Sequence, residues 1–183
     1  MEAARITTER VSRKSIDATI NNLQLDQRAW VGVKTLTPPG LVDKTNLHVY
    51  IKAGSPPHVE VIVLNNGKTP ALNYRAECAA QTQVRGHNVN PIYSPIGPST
   101  YQSIGVLQPG SMIFQPIGDA ELPNSELSQS QIDSIKAGTD IFYVYGHITY
   151  DDVFKHPHIT NFCYFLSRDL ANGAICNTYN DAD

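Results

Sequence analysis

The segment from Asp140 to Leu166, DIFYVYGHITYDDVFKHPHITNFCYFL, most constrains the fold of this chain. Two runs of aromatic and β-branched residues flank a polar connection, which is the pattern of a long antiparallel hairpin. Apolar side chains alternate onto both faces of each run, and a strand with two apolar faces usually lies centrally in a sheet. The sequence therefore predicts a β-rich fold built around this hairpin, with Tyr150 and Phe162 in its core.

Two further strand pairs are predicted between residues 58 and 117. In the first, alternating valines and the dipeptide Asn66-Gly67 predict a hairpin over 58–80, because Asn-Gly supplies the positive φ of a tight primed turn. In the second, residues 103–117 are expected to form a short pair around Gln108-Pro109-Gly110. The remaining predicted strands are 30–36, 47–53 and 174–179.

The first 28 residues are expected to form a helix, because they lack glycine and proline and mix charges of both signs. Their apolar residues form a stripe only in the second half, at Ile16, Ile20 and Leu23. The first half therefore resembles a solvated stalk or spacer. The alternative is coiled-coil pairing, whose heptad is broken at Glu9 and Arg13.

The order of predicted elements indicates the fold class. Seven or eight strands, one short helix within 124–137 that stops at Gly138, and no alternating βαβ rhythm favour a mainly β fold. We expect an immunoglobulin-like β-sandwich with an N-terminal helix and one short inserted helix. The predicted domains are a helical stalk at 1–28 and a β-sandwich domain at 29–183.

Composition argues against several classes of function. With 14 basic and 17 acidic residues the net charge is -3, and without a basic block a broad nucleic-acid surface is not expected. Hydrophobic residues make up 41% of the chain and charged residues 17%, as in a folded domain. No apolar run approaches the length of a membrane span, so the chain as given is expected to be soluble.

Three cysteines, Cys78, Cys163 and Cys176, include no CxxC pair and no zinc-ligand spacing. Cys163 and Cys176 could form a disulfide in an oxidising compartment if the residues between them fold back. Equally, they could be small buried hydrophobic residues, since unpaired cysteine is often buried.

A cluster of potential metal ligands occupies the polar connection of the hairpin and the strand before it. Its members are His147, Asp151, Asp152, His156 and His158. His147 and Asp151 share a strand face, so the hairpin could gather three ligands at its tip. In the alternative interpretation the aspartates cap the turn and the histidines are exposed, and Asp152 accepts backbone amide hydrogen bonds.

No catalytic residues or cofactors are predicted. The chain has no GxSxG elbow, no serine or cysteine with a base beside it in the sequence, and no glycine-rich phosphate loop. In the long loop over 82–101, Tyr93 and Tyr101 are candidates for stacking on a sugar or a peptide, or else cover the core.

Four pieces of sequence carry a resemblance that spans most of the β domain. They are Arg28-Ala29-Trp30-Val31, Asn65-Asn66-Gly67-Lys68-Thr69-Pro70-Ala71, Tyr145-Gly146-His147-Ile148-Thr149-Tyr150-Asp151-Asp152 and Thr160-Asn161-Phe162-Cys163-Tyr164. With these pieces the chain resembles a loose group of uncharacterised bacterial membrane-anchored proteins with a C-terminal immunoglobulin-like β-sandwich domain. In that group a glycine often follows the aromatic residue after the YDD motif, whereas here Lys155 follows Phe154. The resemblance implies a periplasmic domain behind an N-terminal membrane anchor that lies outside this chain, and it brings no activity.

The sequence thus predicts a non-catalytic extracytoplasmic interaction or binding module tethered by a helical stalk. Its expected partner is another protein or a component of the cell envelope. The alternative is a metal-dependent enzyme or metal-binding protein that uses the histidines and aspartates at the hairpin tip.

Overall fold

The computed structural model describes residues 2–33, 48–86, 105–117, 126–166, 168 and 173–183. The helices are α1 (Glu2–Gln27) and α2 (Gln129–Ala137). The strands are β1 (Val31–Val33), β2 (His48–Tyr50), β3 (His58–Asn65), β4 (Ala71–Val84), β5 (Gly105–Leu107), β6 (Met112–Ile117), β7 (Asp140–Asp151), β8 (Pro157–Leu166) and β9 (Gly173–Ile175).

These strands form two antiparallel sheets. In the first, β1 and β2 pair with different halves of β3, and β6 pairs along β3 as well. The second has the order β5-β4-β7-β8-β9. Val61 and Val63 of the first sheet share one buried cluster with Phe142, Val144 and Phe162 of the second. The fold is therefore mainly β and sandwich-like, with its main core between the two sheets.

The predicted hairpin over Asp140–Leu166 is confirmed. Strands β7 and β8 pair in one unbroken register, from Phe142 opposite Leu166 to Asp151 opposite Pro157. Both faces are covered, because Tyr143, Tyr145 and Cys163 belong to a second buried cluster, separate from the main core. The strand pair is central to its sheet, as its two apolar faces predict.

The predicted hairpin over 58–80 is wrong. Strands β3 and β4 lie in different sheets, and neither Asn66 nor Gly67 has the positive φ of a primed turn. The backbone amides of Asn66 and Lys68 instead donate to the carbonyls of Trp30 and Arg28. The segment after β3 therefore crosses between sheets while it is bonded to the residues that precede β1.

Gly67 is needed at this crossing for a reason other than turn geometry. A Cβ atom at Gly67 would lie 2.5 Å from the carbonyl oxygen of Arg28 and 2.6 Å from the Cα of Ala29. Side chains essentially never approach backbone so closely, so glycine permits the contact between the two segments.

The predicted strand pair over 103–117 is also wrong in its pairing. Strand β5 pairs with β4, and β6 pairs with β3, on the two sides of a turn in which Gly110 has a φ of 74°.

The buried side chain of Asn65 accepts from the amides of Trp30 and Gly67 and donates to the carbonyls of Thr69 and Leu107. These four bonds use both N–H groups and both oxygen lone pairs of the Asn65 amide, so this side chain holds the segment that crosses between the sheets in place.

The predicted inserted helix is confirmed as α2. Ser128 caps its first turn in a reciprocal capping box with Gln131, and Gly138 ends it with a φ of 81°. Leu127, which precedes the helix, and Ile132 and Ile135 on it are all buried in the main core. Residues 124 and 125 of the predicted helical segment lie outside the described residues.

Helix α1 does not bury its predicted stripe. Ile16 is 58% exposed and Leu23 59% exposed, and Ile20 is also exposed. Over 26 residues the helix extends about 39 Å at 1.5 Å per residue. No helix in the described ranges has the length together with the apolarity needed to span a membrane.

Candidate functional site at the hairpin tip

The site is built on the turn between β7 and β8, where Asp152 has a side chain only 2% exposed. Its Oδ1 atom accepts the backbone amides of Phe154, at 2.8 Å, and His156, at 2.9 Å. Its Oδ2 atom lies 3.1 Å from Nε2 of His158 and 3.6 Å from Nδ1 of His156. Asp152 therefore organises the turn, as the capping interpretation of the sequence expects, but that interpretation is wrong about His158, whose side chain is only 9% exposed.

The turn also contains a residue with left-handed backbone. Lys155 has a φ of 67°, and its amide donates to the carbonyl of Asp152. A non-glycine residue adopts this conformation at a cost of about 1–2 kcal/mol.

These contacts keep Asp152 ionised. Burial of the carboxylate disfavours its charge, but the hydrogen bonds from the His156 amide, the His158 ring and the Phe154 amide together outweigh burial. They hold the pKa of the Asp152 carboxyl below its usual range. The tip thus carries a buried, fully bonded negative charge.

His158 joins the turn to the last residues of the chain. Its imidazole is 9% exposed and stacks on Tyr150, with ring centroids 5.2 Å apart. Its Nδ1 atom lies 3.4 Å from Oδ1 of Asp183. One imidazole ring thus contacts a carboxylate at each nitrogen.

The same end of the sandwich holds the junction between α1 and β1. Arg28 donates to the main-chain oxygen of Asp183 at 2.7 Å, and its guanidinium lies 3.5 Å from the ring centroid of Trp30. The hydroxyl of Tyr150 donates to the carbonyl of Ala29 and accepts the amide of Val31. The tip turn, the last residues and the helix junction therefore form one bonded network.

The five predicted ligands do not meet at one point. His147 is paired with Glu77 on β4, with Nε2 3.4 Å from Oε2, and Asp151 accepts from Asn73 at 2.6 Å. Only Asp152, His156 and His158 come together, and His158 and Asp152 do so at hydrogen-bonding distance. Within the ranges that the structure covers, no group of three or more His, Cys, Asp or Glu side chains is placed to hold a metal ion.

Tyr93 and Tyr101, the predicted ligand-stacking residues, lie outside the described residues.

The cysteines divide into a bonded pair and one thiol. Cys163 and Cys176 form a disulfide with an S–S distance of 1.98 Å, which joins β8 to the segment after β9. Cys78 is a free thiol on β4. Its burial, with a smaller effect from the Glu77 carboxylate, raises the pKa of the Cys78 thiol well above its usual range.

We expect alkylation to separate these cysteines. In protein unfolded without reductant, iodoacetamide should modify Cys78 alone, and mass spectrometry should find Cys163 and Cys176 in one linked peptide pair. In native protein Cys78 should react slowly, because a raised pKa leaves little thiolate. Modification of all three thiols without reductant would show that the disulfide is not formed.

We expect Asp152→Asn to lower the free energy of unfolding by about 2 kcal/mol at pH 7, because it weakens charge-assisted bonds to buried groups. The folded-state pKa of the Asp152 carboxyl is depressed. The carboxylate therefore stabilises the fold fully at any pH above the unfolded-state pKa, which is about 3.9. The effect is lost as the pH falls through the folded-state value. Urea unfolding should therefore show the wild-type advantage at pH 7 shrink below about pH 4, and a constant difference would contradict this.

Sequence reasoning missed several residues of this end of the molecule. Arg28 and Asp183 contact one another across 155 positions, and no local pattern signals such a pair. The spacing of Asp152 and His158 around Pro157 was visible, but the same residues suit a metal site and a hydrogen-bonded turn.

The arrangement holds a buried carboxylate in its charged form next to an imidazole ring. Comparisons with protein-family models, curated proteins and solved structures return no match to this chain. What the fold and site define is therefore a sandwich-like β domain with an exposed helix fixed at one end.

Proposed function

We propose that this chain is a non-catalytic interaction module, in which a β-sandwich is held at the end of a rigid helical spacer outside the cytoplasm. One observation carries the proposal: α1 is exposed along its described side chains from residue 9 to 26, with only Gln24 partly buried, yet its end is bonded firmly to the sandwich. A helix that is exposed along its length and fixed at one end is suited to holding the domain at a distance.

The fixed end has three independent attachments. Arg28 bonds to the main chain of Asp183, and the amides of Asn66 and Lys68 bond to the carbonyls of Trp30 and Arg28. Lys68 also pairs with Asp26 at 2.6 Å, a surface contact of small energy that adds direction. These contacts fix the residues that follow α1 to the sheets, and the Asp26–Lys68 pair extends the attachment to the last turn of the helix.

The location outside the cytoplasm is part of the proposal. The Cys163–Cys176 disulfide supports it, because structural disulfides persist in oxidising compartments. In the group that the sequence resembles, a membrane anchor precedes the helix, and we place the spacer between such an anchor and the sandwich. The immunoglobulin-like assignment belongs here as well, supported by two antiparallel sheets that share a core.

The expected partner is a protein or a component of the cell envelope. Metal-dependent catalysis is the alternative from the sequence, and no contact among the described residues favours it, because His147 and Asp151 have partners on β4, Glu77 and Asn73.

Small-angle X-ray scattering of the full chain tests the spacer. A compact protein of 183 residues has a radius of gyration of about 16 Å. A helix of about 39 Å that projects from the sandwich should raise the radius clearly above this value at every protein concentration. A radius near 16 Å would mean that the helix folds back onto the domain, and the proposal would fail.

A further inference from the structure

His158 contacts two carboxylates with one ring. Its Nε2 atom lies 3.1 Å from Oδ2 of Asp152, and its Nδ1 atom lies 3.4 Å from Oδ1 of Asp183. A carboxylate only accepts hydrogen bonds, and a neutral imidazole has one N–H and one lone pair. Both contacts are therefore favourable only when the ring is the doubly protonated imidazolium.

The burial of the two carboxylates decides which contact the neutral ring keeps. Asp152 is 2% exposed and depends on its donors, whereas Asp183 is 57% exposed and can be solvated by water. A neutral ring therefore keeps its proton on Nε2, toward Asp152, and turns the lone pair of Nδ1 toward Asp183.

Asp183 ends a segment that lies along β8, which we call the tail (residues 176–183). The tail is tied to Cys163 by the disulfide, and its Asp181 carbonyl accepts the Asn161 amide at 2.8 Å. At the far end the Asp183 Oδ1 atom accepts the Ile159 amide at 2.9 Å. The tail thus covers backbone donors of β8 from Ile159 to Cys163.

We propose that His158 is a pH-sensitive latch for the tail. Protonated His158 bonds Asp152 and Asp183 together and closes the Asp183 side chain over β8, and loss of the proton on Nδ1 releases that side chain, while Arg28 still holds the main-chain oxygen of Asp183. Because a histidine ring can gain and lose this proton, the latch is expected to close as the pH falls and to open as the pH rises.

The other charged and titratable groups around the ring come from each element packed against it. The tip turn supplies Asp152 and His156, β7 supplies Tyr150, and the connection before β1 supplies Arg28. Burial raises the pKa of Tyr150, so this residue stays neutral across the range, and Arg28 stays charged. His156 is a second imidazole in contact with Asp152, and a variant must separate its effect from that of His158.

Hydrogen exchange of the full chain by NMR tests the latch. The protection factor of the Ile159 amide should fall about tenfold between pH 5 and pH 8, which is the size expected when a charged hydrogen bond is lost. The loss should follow the titration of His158 in its ring ¹⁵N shifts. The Cys163 amide, which donates to Asn180 beside the disulfide, should keep its protection and serves as the internal control.

Three variants assign the effect. Asp183→Asn, at an exposed side chain, should abolish the pH dependence at Ile159 without unfolding the domain, and His158→Gln should do the same. His156→Gln should leave it in place. An Ile159 protection factor that stays constant while His158 titrates, or a tenfold loss that persists in Asp183→Asn, would overturn the proposal.

Discussion

Phe162→Ala should lower the free energy of unfolding by about 3 to 5 kcal/mol, close to the whole stability of many domains. Phe162 is buried in the main core at the centre of β8, where it packs beside Tyr164 and opposite Gly146. Removal of the ring leaves a cavity between the two sheets that neighbouring strands are too rigid to fill. Urea denaturation followed by circular dichroism measures the loss.

Phe154→Ala is the matched control for this substitution. Phe154 lies in the tip turn, is only partly buried and belongs to neither buried cluster. The same change should cost about 1 kcal/mol there. If the two variants lose equal stability, the hairpin is not the centre of the fold.

Gly146→Ala should destabilise the protein by about 3 kcal/mol through a single added methyl group. The new Cβ would lie 2.5 Å from Cζ of Phe162 and 2.5 Å from the carbonyl oxygen of Glu77. The Phe162 ring occupies the space above Gly146, and the Glu77 carbonyl belongs to the neighbouring strand β4. Since the second obstacle is backbone, the sheet itself must shift.

Gly32→Ala provides the control, because a Cβ at Gly32 in β1 meets no atom within 4 Å. Its effect should stay within about 0.5 kcal/mol. In the double variant Gly146→Ala, Phe162→Leu, the smaller side chain should restore part of the lost free energy of unfolding. The rest should stay lost, because the added methyl group still clashes with the Glu77 carbonyl. A Gly146→Ala protein as stable as Gly32→Ala would contradict the close packing of β4, β7 and β8.

The parts of the fold that follow from local chemistry were predictable. Alternating aromatic residues predict β7 and β8, and Gly138 predicts the end of α2, because side-chain direction and capping depend on neighbours in sequence. Strand pairing beyond that hairpin was not predictable. Asn66-Gly67 between two strand-like runs suggests a hairpin, yet long-range bonds decide which sheet each run joins.

Asn65 shows why. Its side chain bonds to Trp30, 35 positions earlier, and to Leu107, 42 positions later, and both bonds exist only in the folded chain. The contacts of the candidate site likewise form only in the folded chain. The histidines and aspartates of the tip were visible in the sequence, but the contacts of His158 with Asp183 and of His147 with Glu77 depend on the register of the sheet.

The packing of α1 also differs from what its sequence pattern indicates. The stripe of Ile16, Ile20 and Leu23 suggested that half of α1 could dock, and in the structure these side chains remain exposed. The residues that follow the helix are held instead by the crossing segment, which the missing side chain of Gly67 lets approach Arg28 and Ala29.

The most direct test of the central claim, that α1 is a rigid spacer fixed to the sandwich, is a distance distribution between spin labels. One label is placed on α1 at Ser12→Cys and the other on β4 at Arg75→Cys, both exposed positions, with Cys78 replaced by serine and the disulfide left intact. A second pair uses Thr19→Cys, about 10 Å nearer the sandwich along the helix. Both pairs should give one narrow distribution at every concentration, and Gly67→Ala, which crowds the junction, should broaden both. Broad distributions in the otherwise unmodified chain, or a Ser12 distance short enough for a helix folded back on the domain, would contradict the account.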